Sequence, residues 1–343
     1  MPIYYNPRDF FRVAFTRPDQ GSTTLYLATF RTALLMPLPI TLAIIEHLGY
    51  FDDLPTDHQL DKLLTPFTLL LGLVTAFRLN DAFHKWERAG EIIYTLQREA
   101  RVIFSRMSAF LPADDPHVRE TVLEIRRLIL LGCVLLKAHV RHENSKTVLD
   151  EAMACELLRP SEKTALTSTV TVADGPTGDG KKDKYPSRAR PTYAFQKASR
   201  LNHLLFKGKH YSMPHTFWGI EESITTMSNT FEQAEHLGTS LLPLPYAQLT
   251  RFLALIFLVI LPVAYARALG LFTIPLSLLA NLVFFVIDEC SGQMELPFGD
   301  DENDVEIEKI LRRIDKLSAA QLYQVRNLPA ISRSSPQLPP TPT

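Results

Sequence analysis

The chain has 343 residues, with 36 Lys and Arg against 37 Asp and Glu and a formal net charge of −1. That balance leaves no basic excess for nucleic acid, and three cysteines, Cys133, Cys155 and Cys290, none in a CxxC spacing, are too few for a disulfide framework. The hydrophobic share of 46% is ordinary, but it is clumped into a few long runs separated by polar stretches, the pattern of membrane spans alternating with soluble segments.

In chain order, "MPIYYNPRDFFRVAFTRP" has no uninterrupted apolar core of the kind a cleavable signal carries, so the first span is expected to direct membrane entry. Residues 1–24 read as an N-terminal cytosolic segment. The first span is expected over Leu25–His47, apolar apart from Arg31, Pro37, Pro39 and Glu46. The second, Leu63–Phe77, is uncharged but too short to cross alone. It must continue into "RLNDAFHKWERAGEIIYTLQREARVIF" as one long helix leaving the membrane, and 25–95 holds both spans.

Residues 96–244 read as a cytosolic helical region. "VRETVLEIRRLILLGCVLLKAHVRHE" and "GIEESITTMSNTFEQAEHL" repeat apolar residues at helical spacing. Between them, 159–192 is rich in Gly, Pro, Ser, Thr and Lys and reads as a disordered loop. His139, His142 and Glu143 hint at a metal, but the pair lacks a third convergent ligand.

Residues 245–290 hold two further spans, Phe252–Ala266 and Ala268–Ile287, joined so closely that they should form an antiparallel hairpin. Arg251 and Arg267 flank the first of these, placed to snorkel toward head groups. Residues 291–318 read as an acidic turn and C-terminal helix, and 319–343, with a PxxP spacing, as a disordered tail.

Loop charges orient the spans. Arg8, Arg12 and Arg17 precede the first; Asp52, Asp53, Asp57 and Asp61 follow it; Lys85, Arg88, Arg98, Arg101 and Arg106 follow the second. The positive-inside rule then puts both termini in the cytosol, which fits a multi-pass protein with four spans. Catalytic signatures are missing: no phosphate-binding glycine loop, no GxSxG and no HExxH. Within the spans only Arg31, Glu46 and Asn281 stand out as polar, so nothing argues for an enzyme.

Leu69, Leu73 and Phe77 recur every four residues and share a helix face, with Gly72 and Ala76 beside them. Periodicity alone favours ordinary helix packing or lipid contact. Repeated around a ring of identical subunits, the same face would make a hydrophobic constriction. Pro66, with Thr68, stands near the start of this segment, where unpaired N–H groups of a helix start could attract an anion.

Three stretches together resemble the bestrophin family of ion channels, its plant, fungal and bacterial branch in particular. "FRLNDAFHKWERAGEI" is similar to the family's motif after the second helix, matched by Arg78, Asn80, Trp86 and Glu87, with Phe83 and Lys85 as departures. "LPLPYAQLTRFLALIFLVILPVAYA" resembles its third span, and "ELPFGDDENDVE" its Asn-Pro-Phe-Gly-acidic segment through Pro297, Phe298 and Gly299, with Leu296 where Asn is usual. The resemblance implies an all-α integral membrane protein, a homopentamer with one axial pore, four transmembrane helices per subunit and a cytosolic helical region. It also makes Leu69, Leu73 and Phe77 the positions of the pore neck.

The acidic run after Gly299 has two readings. Asn303 followed by Glu306 has a capping-box spacing before the apolar face of "EIEKILRRIDKL". In animal bestrophins the corresponding run resembles a calcium clasp, and Asp301 and Asp304 fit its side-chain ligands. The residues favour the cap, and calcium stays open as a cofactor. The expected function is a passive ion channel in the lipid bilayer preferring chloride or other small anions. The alternatives are a scaffold or regulatory subunit of another transporter, or a cation-permeable channel of the same architecture.

Overall fold

The computed structural model describes residues 23–48, 58–112, 114–143, 145–164, 166, 189–240, 243–299 and 304–327. Among them there is helix, turn and coil and no strand. The chain divides into two compact units, residues 1–91 with 236–306 and residues 92–235 with 307–343. The C-terminal helix falls in the second unit, and residues 291–306 fall in the first.

In the first unit the expected span Leu25–His47 is two helices, α1 (Thr23–Leu35) and α2 (Pro37–His47), meeting at Met36. The cause is local: Pro37 and Pro39 have no N–H to continue the hydrogen-bond ladder, and only Met36 N–H to the Thr32 carbonyl and Ile40 N–H to the Met36 carbonyl bridge the junction. Helix α3 (His58–Phe110) is one uninterrupted element, as the short second span required, and contributes to both units. Among the described residues two stretches have the length and composition to cross a membrane, Tyr26–His47 at mean hydropathy 1.6 and Leu244–Glu295 at 2.3.

Leu244–Glu295 is the expected hairpin with shifted bounds. Its arms are α8 (Leu244–Leu269) and α9 (Thr273–Glu295). A single 3-10 turn at Gly270–Phe272 joins them, so Ala268 to Phe272 lie outside α9, which starts later than the expected span Ala268–Ile287. Gly270 takes φ +51° at the end of α8, a left-handed conformation that favours glycine. Helix α1 packs on α9 and α2 on α8. The centre is apolar: Leu64 and Leu71 of α3 meet Phe257, Leu258 and Leu261 of α8. The Phe257 ring lies 6.4 Å from Phe67 and 5.5 Å, edge-on, from Phe284.

The second unit is built on α4 (Pro116–Val140), whose start is written in its sequence. Asp115 Oδ1 accepts from the His117 N–H at 2.9 Å and Pro116 occupies the first helical position. Leu128 to Leu131, Gly132, Cys133, Leu135 and Leu136 are all buried. Burial pushes the Cys133 thiol up to about 12, which makes it an inert core residue. Further helices among the described residues are α5 (Ser145–Ala154), α6 (Ala189–Lys207), α7 (Pro214–Thr239) and α10 (Ile307–Asn327). Helices α6 and α10 both pack on α4. Gly132 lets α6 approach, since a Cβ there would stand 2.8 Å from the buried Phe195 ring.

The expected loop 159–192 is narrower at both ends. Residues 160–164 are helical and α6 begins at Ala189. Arg127 and Lys197 hold Glu162 from either side, fixing the first end, and Pro191 sits in the first turn of α6, where a missing N–H costs nothing. Residues 167–188 lie outside the described residues. Helix α10 runs to Asn327, nine residues into what read as a tail starting at 319, while 328–343 lie outside the described residues.

Candidate functional site

Three arginines from three helices converge on one carboxylate in the first unit. Asp288 of α9 accepts from Arg78 Nη1 of α3, from Arg251 Nε of α8 at 3.3 Å and from Arg31 Nη1 of α1 at 3.3 Å. Arg31 Nη1 also lies 3.2 Å from Glu289, and Arg78 Nε donates to Glu295 at 3.1 Å. Asp288 and Glu295 are seven residues apart on α9 and so share a face, which lets one guanidinium bridge them. Arg78 is only 2% exposed, and its Nη2 is buried with no hydrogen-bond partner.

This cluster borders a cavity of about 330 Å³ lined by Arg31, Thr75, Arg78, Thr250, Arg251, Asp288 and Ser291 on one side and by Ala254, Leu255, Leu258, Phe284, Phe285 and Ile287 on the other. Its hydroxyls are committed: Thr75 donates to the Leu71 carbonyl, Thr250 to Tyr246 and Ser291 to Ile287. The guanidiniums are therefore the donors left for a guest. On the wall itself three positive groups face one carboxylate; Glu289 and Glu295 behind it bring the cluster into balance.

The sequence-predicted neck residues lie on another face of α3. Leu64, Leu71, Thr75, Arg78 and Ala82 turn inward, whereas Leu69, Leu73 and Phe77 are 75%, 51% and 60% exposed. Gly72 belongs to the same outward stripe; a Cβ added there would meet no described atom within 4 Å. The chain thus presents an apolar ladder that none of its own described helices covers.

Pro66 is not at a helix start. It lies well inside α3, which begins at His58, and Thr68 donates its hydroxyl to the Leu64 carbonyl at 2.8 Å. The free N–H groups on which an anion site at Pro66 and Thr68 depended belong to the turn at His58 instead. Of the family-motif positions, Arg78 holds the ion cluster. Trp86 stacks near Phe83 at 6.3 Å, Glu87 lies 3.5 Å from His84, and Asn80 is exposed.

The described ends of the acidic segment meet. Pro297 and Phe298 are buried, and the Val305 N–H donates to the Pro297 carbonyl at 3.0 Å. Asp304, also buried, leans over Gly299 so closely that a Cβ there would stand 2.8 Å from its Oδ2. Asp301 and Asn303 lie outside the described residues. Helix α10 starts at Ile307, which puts Glu306 rather than Asn303 at the cap position. His139 packs 5.2 Å from the Phe231 ring and 3.5 Å from Glu235, while His142 is past the end of α4 at φ +54°. Among the described residues no group of three or more His, Cys, Asp or Glu is placed to hold a metal.

Sequence reading singled out Arg31 and Arg78 but not their partners. Asp288 is 257 residues from Arg31 and 210 from Arg78. Its one local signal is the acidic pair "DE" placed directly after the apolar run, still inside what turns out to be the same helix.

Apolar helices of membrane-crossing length, packed around a buried ion cluster and carrying an uncovered apolar face, define an all-helical membrane protein class. A profile of the bacterial/fungal bestrophin proteins matches residues 33–319, and the chain belongs to that family. It is 25% identical over 308 residues to a voltage-dependent anion channel-forming protein of Salmonella typhi, covering 89% of this chain and 90% of the relative. A protein of the same description from Nostoc sp. is 22% identical over 260 residues, 74% and 76% of the two chains. Among solved structures, a bacterial bestrophin homologue from Klebsiella pneumoniae superposes with a TM-score of 0.72 at 16% identity, over 86% of this chain and 98% of that one. The structural likeness is one of fold.

Proposed function

We propose that the protein is a passive, anion-preferring channel of the bilayer, in which α3 of each subunit lines a single pore. The observation that carries this is the uncovered ladder Leu69, Leu73 and Phe77, an apolar face on a helix whose other face is fully packed. Exposed leucines and a phenylalanine at one-turn spacing gain nothing from water. Brought together around a symmetry axis they form a constriction that conducts when wetted and closes when dry. Family membership and the anion channel-forming relatives support the ion class. On this reading five subunits assemble, each crosses the membrane four times, and both termini face the cytosol. Conduction needs no bond chemistry, so no catalytic residue is assigned.

The test is the reversal potential of purified protein in planar bilayers under a potassium chloride gradient, with and without free calcium. Reversal near the chloride potential is the expected result, and reversal near the potassium potential would keep the architecture and overturn the selectivity. A current that needs calcium would assign the turn containing Asp301 and Asp304 as a sensor. Leu73→Ala with Phe77→Ala should enlarge or de-gate the current without loss of folding, because both side chains are exposed in the subunit. Unchanged currents in a well-expressed double mutant would remove the neck from this face, and no current from the wild type would leave a scaffold.

A further inference from the structure

We propose that the cavity between α1, α3, α8 and α9 is a binding site for an organic anion, a carboxylate or phosphate head carried on an apolar body. The site lies within one subunit and does not rest on the conduction reading. Three observations converge on it. The first is that Arg31 and Arg251, whose side chains are 42% and 60% exposed, each bring a guanidinium to the cavity wall where a guest can reach it. The second is the excess of guanidinium over carboxylate on the wall, with the neighbouring hydroxyl protons already spent on backbone carbonyls. A planar carboxylate or a phosphate matches the guanidinium fork.

The third observation is the opposite wall, where Leu255, Leu258 and Phe284 offer hydrocarbon and an aromatic ring. A hydrated inorganic ion makes no use of such a wall. A guest with an ionic end and an oily end satisfies both. Such a guest could be a soluble carboxylate or the head of an anionic lipid; the recognition chemistry is the same.

The experiment uses the full chain in phosphatidylcholine nanodiscs, with hexanoate binding followed by calorimetry, and a parallel set of nanodiscs containing phosphatidic acid followed by native mass spectrometry. Arg251→Gln removes one guanidinium while Arg78 keeps Asp288 and Glu295. Leu255→Trp fills the apolar end without touching a charge, at a half-exposed position that tolerates the bulk. Saturable hexanoate binding, weakened about tenfold in each variant, is the expected result. If phosphatidic acid abolishes hexanoate binding and stays bound to the wild type but not the variants, the occupant comes from the bilayer. If it leaves hexanoate binding unchanged, the occupant comes from solution. Both uphold the site. Failure of the wild type to bind hexanoate saturably or retain phosphatidic acid would overturn it, and so would binding that either variant leaves unchanged; the cavity then holds water alone.

Discussion

Two arginines, one in each unit, are set against paired carboxylates, and their difference separates structure from potential function. Arg127 in the second unit is satisfied at every nitrogen. Its Nε and Nη2 donate to Glu124 at 3.0 and 2.6 Å, its Nη2 and Nη1 donate to Glu162 at 2.8 and 2.9 Å, and Nη1 also reaches the Leu157 carbonyl. Glu162 in turn accepts from Lys197 at 2.7 Å and from the Arg159 N–H at 3.0 Å. Arg78 in the first unit has the same kind of carboxylate pair, yet one of its nitrogens is left unpaired beside a cavity. A closed network specifies a packing arrangement, and an open one, with Arg31 and Arg251 half-exposed at its edge, leaves bonding capacity for a guest.

The comparison breaks most visibly at Glu162, whose side chain is 2% exposed. Glu162→Ala leaves Arg127 with Glu124 alone and takes the buried acceptor from Lys197 and the Arg159 N–H, so it should cost the second unit about 3–5 kcal/mol, read as faster amide exchange across α4 and residues 160–164. Burial alone would raise this carboxyl, but the bonds from Arg127, Lys197 and the Arg159 N–H outweigh it and hold it at about 2. A depressed carboxyl contributes stability that is complete above its ordinary 4.5 and is lost as pH falls toward 2. The wild type should therefore lose protection through that window, and Glu162→Ala should lack that part of the slope. Equal slopes in the two proteins would mean that the network does not control acid stability.

Asp288→Asn should cost less, about 1–3 kcal/mol, because Arg78 retains Glu295 and Arg31 retains Glu289. It also removes the one carboxylate among the described residues of the cavity wall, so hexanoate should bind more tightly to this variant. Thermal unfolding in detergent and the calorimetric titration read the two effects separately. A loss of stability as large as that of Glu162→Ala would make the two clusters equivalent and end the distinction.

How much of this was legible in the sequence follows from how local each cause is. Helix α4 could be read from Asp115, Pro116 and the spacing of its apolar residues, and the long α3 from the shortness of its apolar run, because the causes lie within a few residues. The break at Met36 had its cause in plain view at Pro37 and Pro39, yet a hydropathy run passes straight over two prolines that are themselves apolar. The outward face of Leu69, Leu73 and Phe77 was visible as a period, but which face is packed depends on Phe257 and Leu258, almost two hundred residues away. Asp288 was hidden for the same reason. No spacing rule links an arginine in α1, another in α3 and a third in α8 to one carboxylate in α9; only the packed bundle does.

The smallest effect sharpens the comparison from its rim. Arg159 reaches Glu124 at 2.7 Å, a short contact by any geometric standard, but its side chain is 59% exposed. Water and salt already solvate it, so Arg159→Ala should cost about 0–1 kcal/mol. The backbone N–H that serves Glu162 survives the substitution, so the buried part of the network is unchanged. Amide exchange near 160–164 should stay close to wild type, and added salt should shrink what difference there is. A large loss would mean that the network is held together from its exposed edge, and burial at Arg127 and Glu162 would no longer explain why this centre is closed.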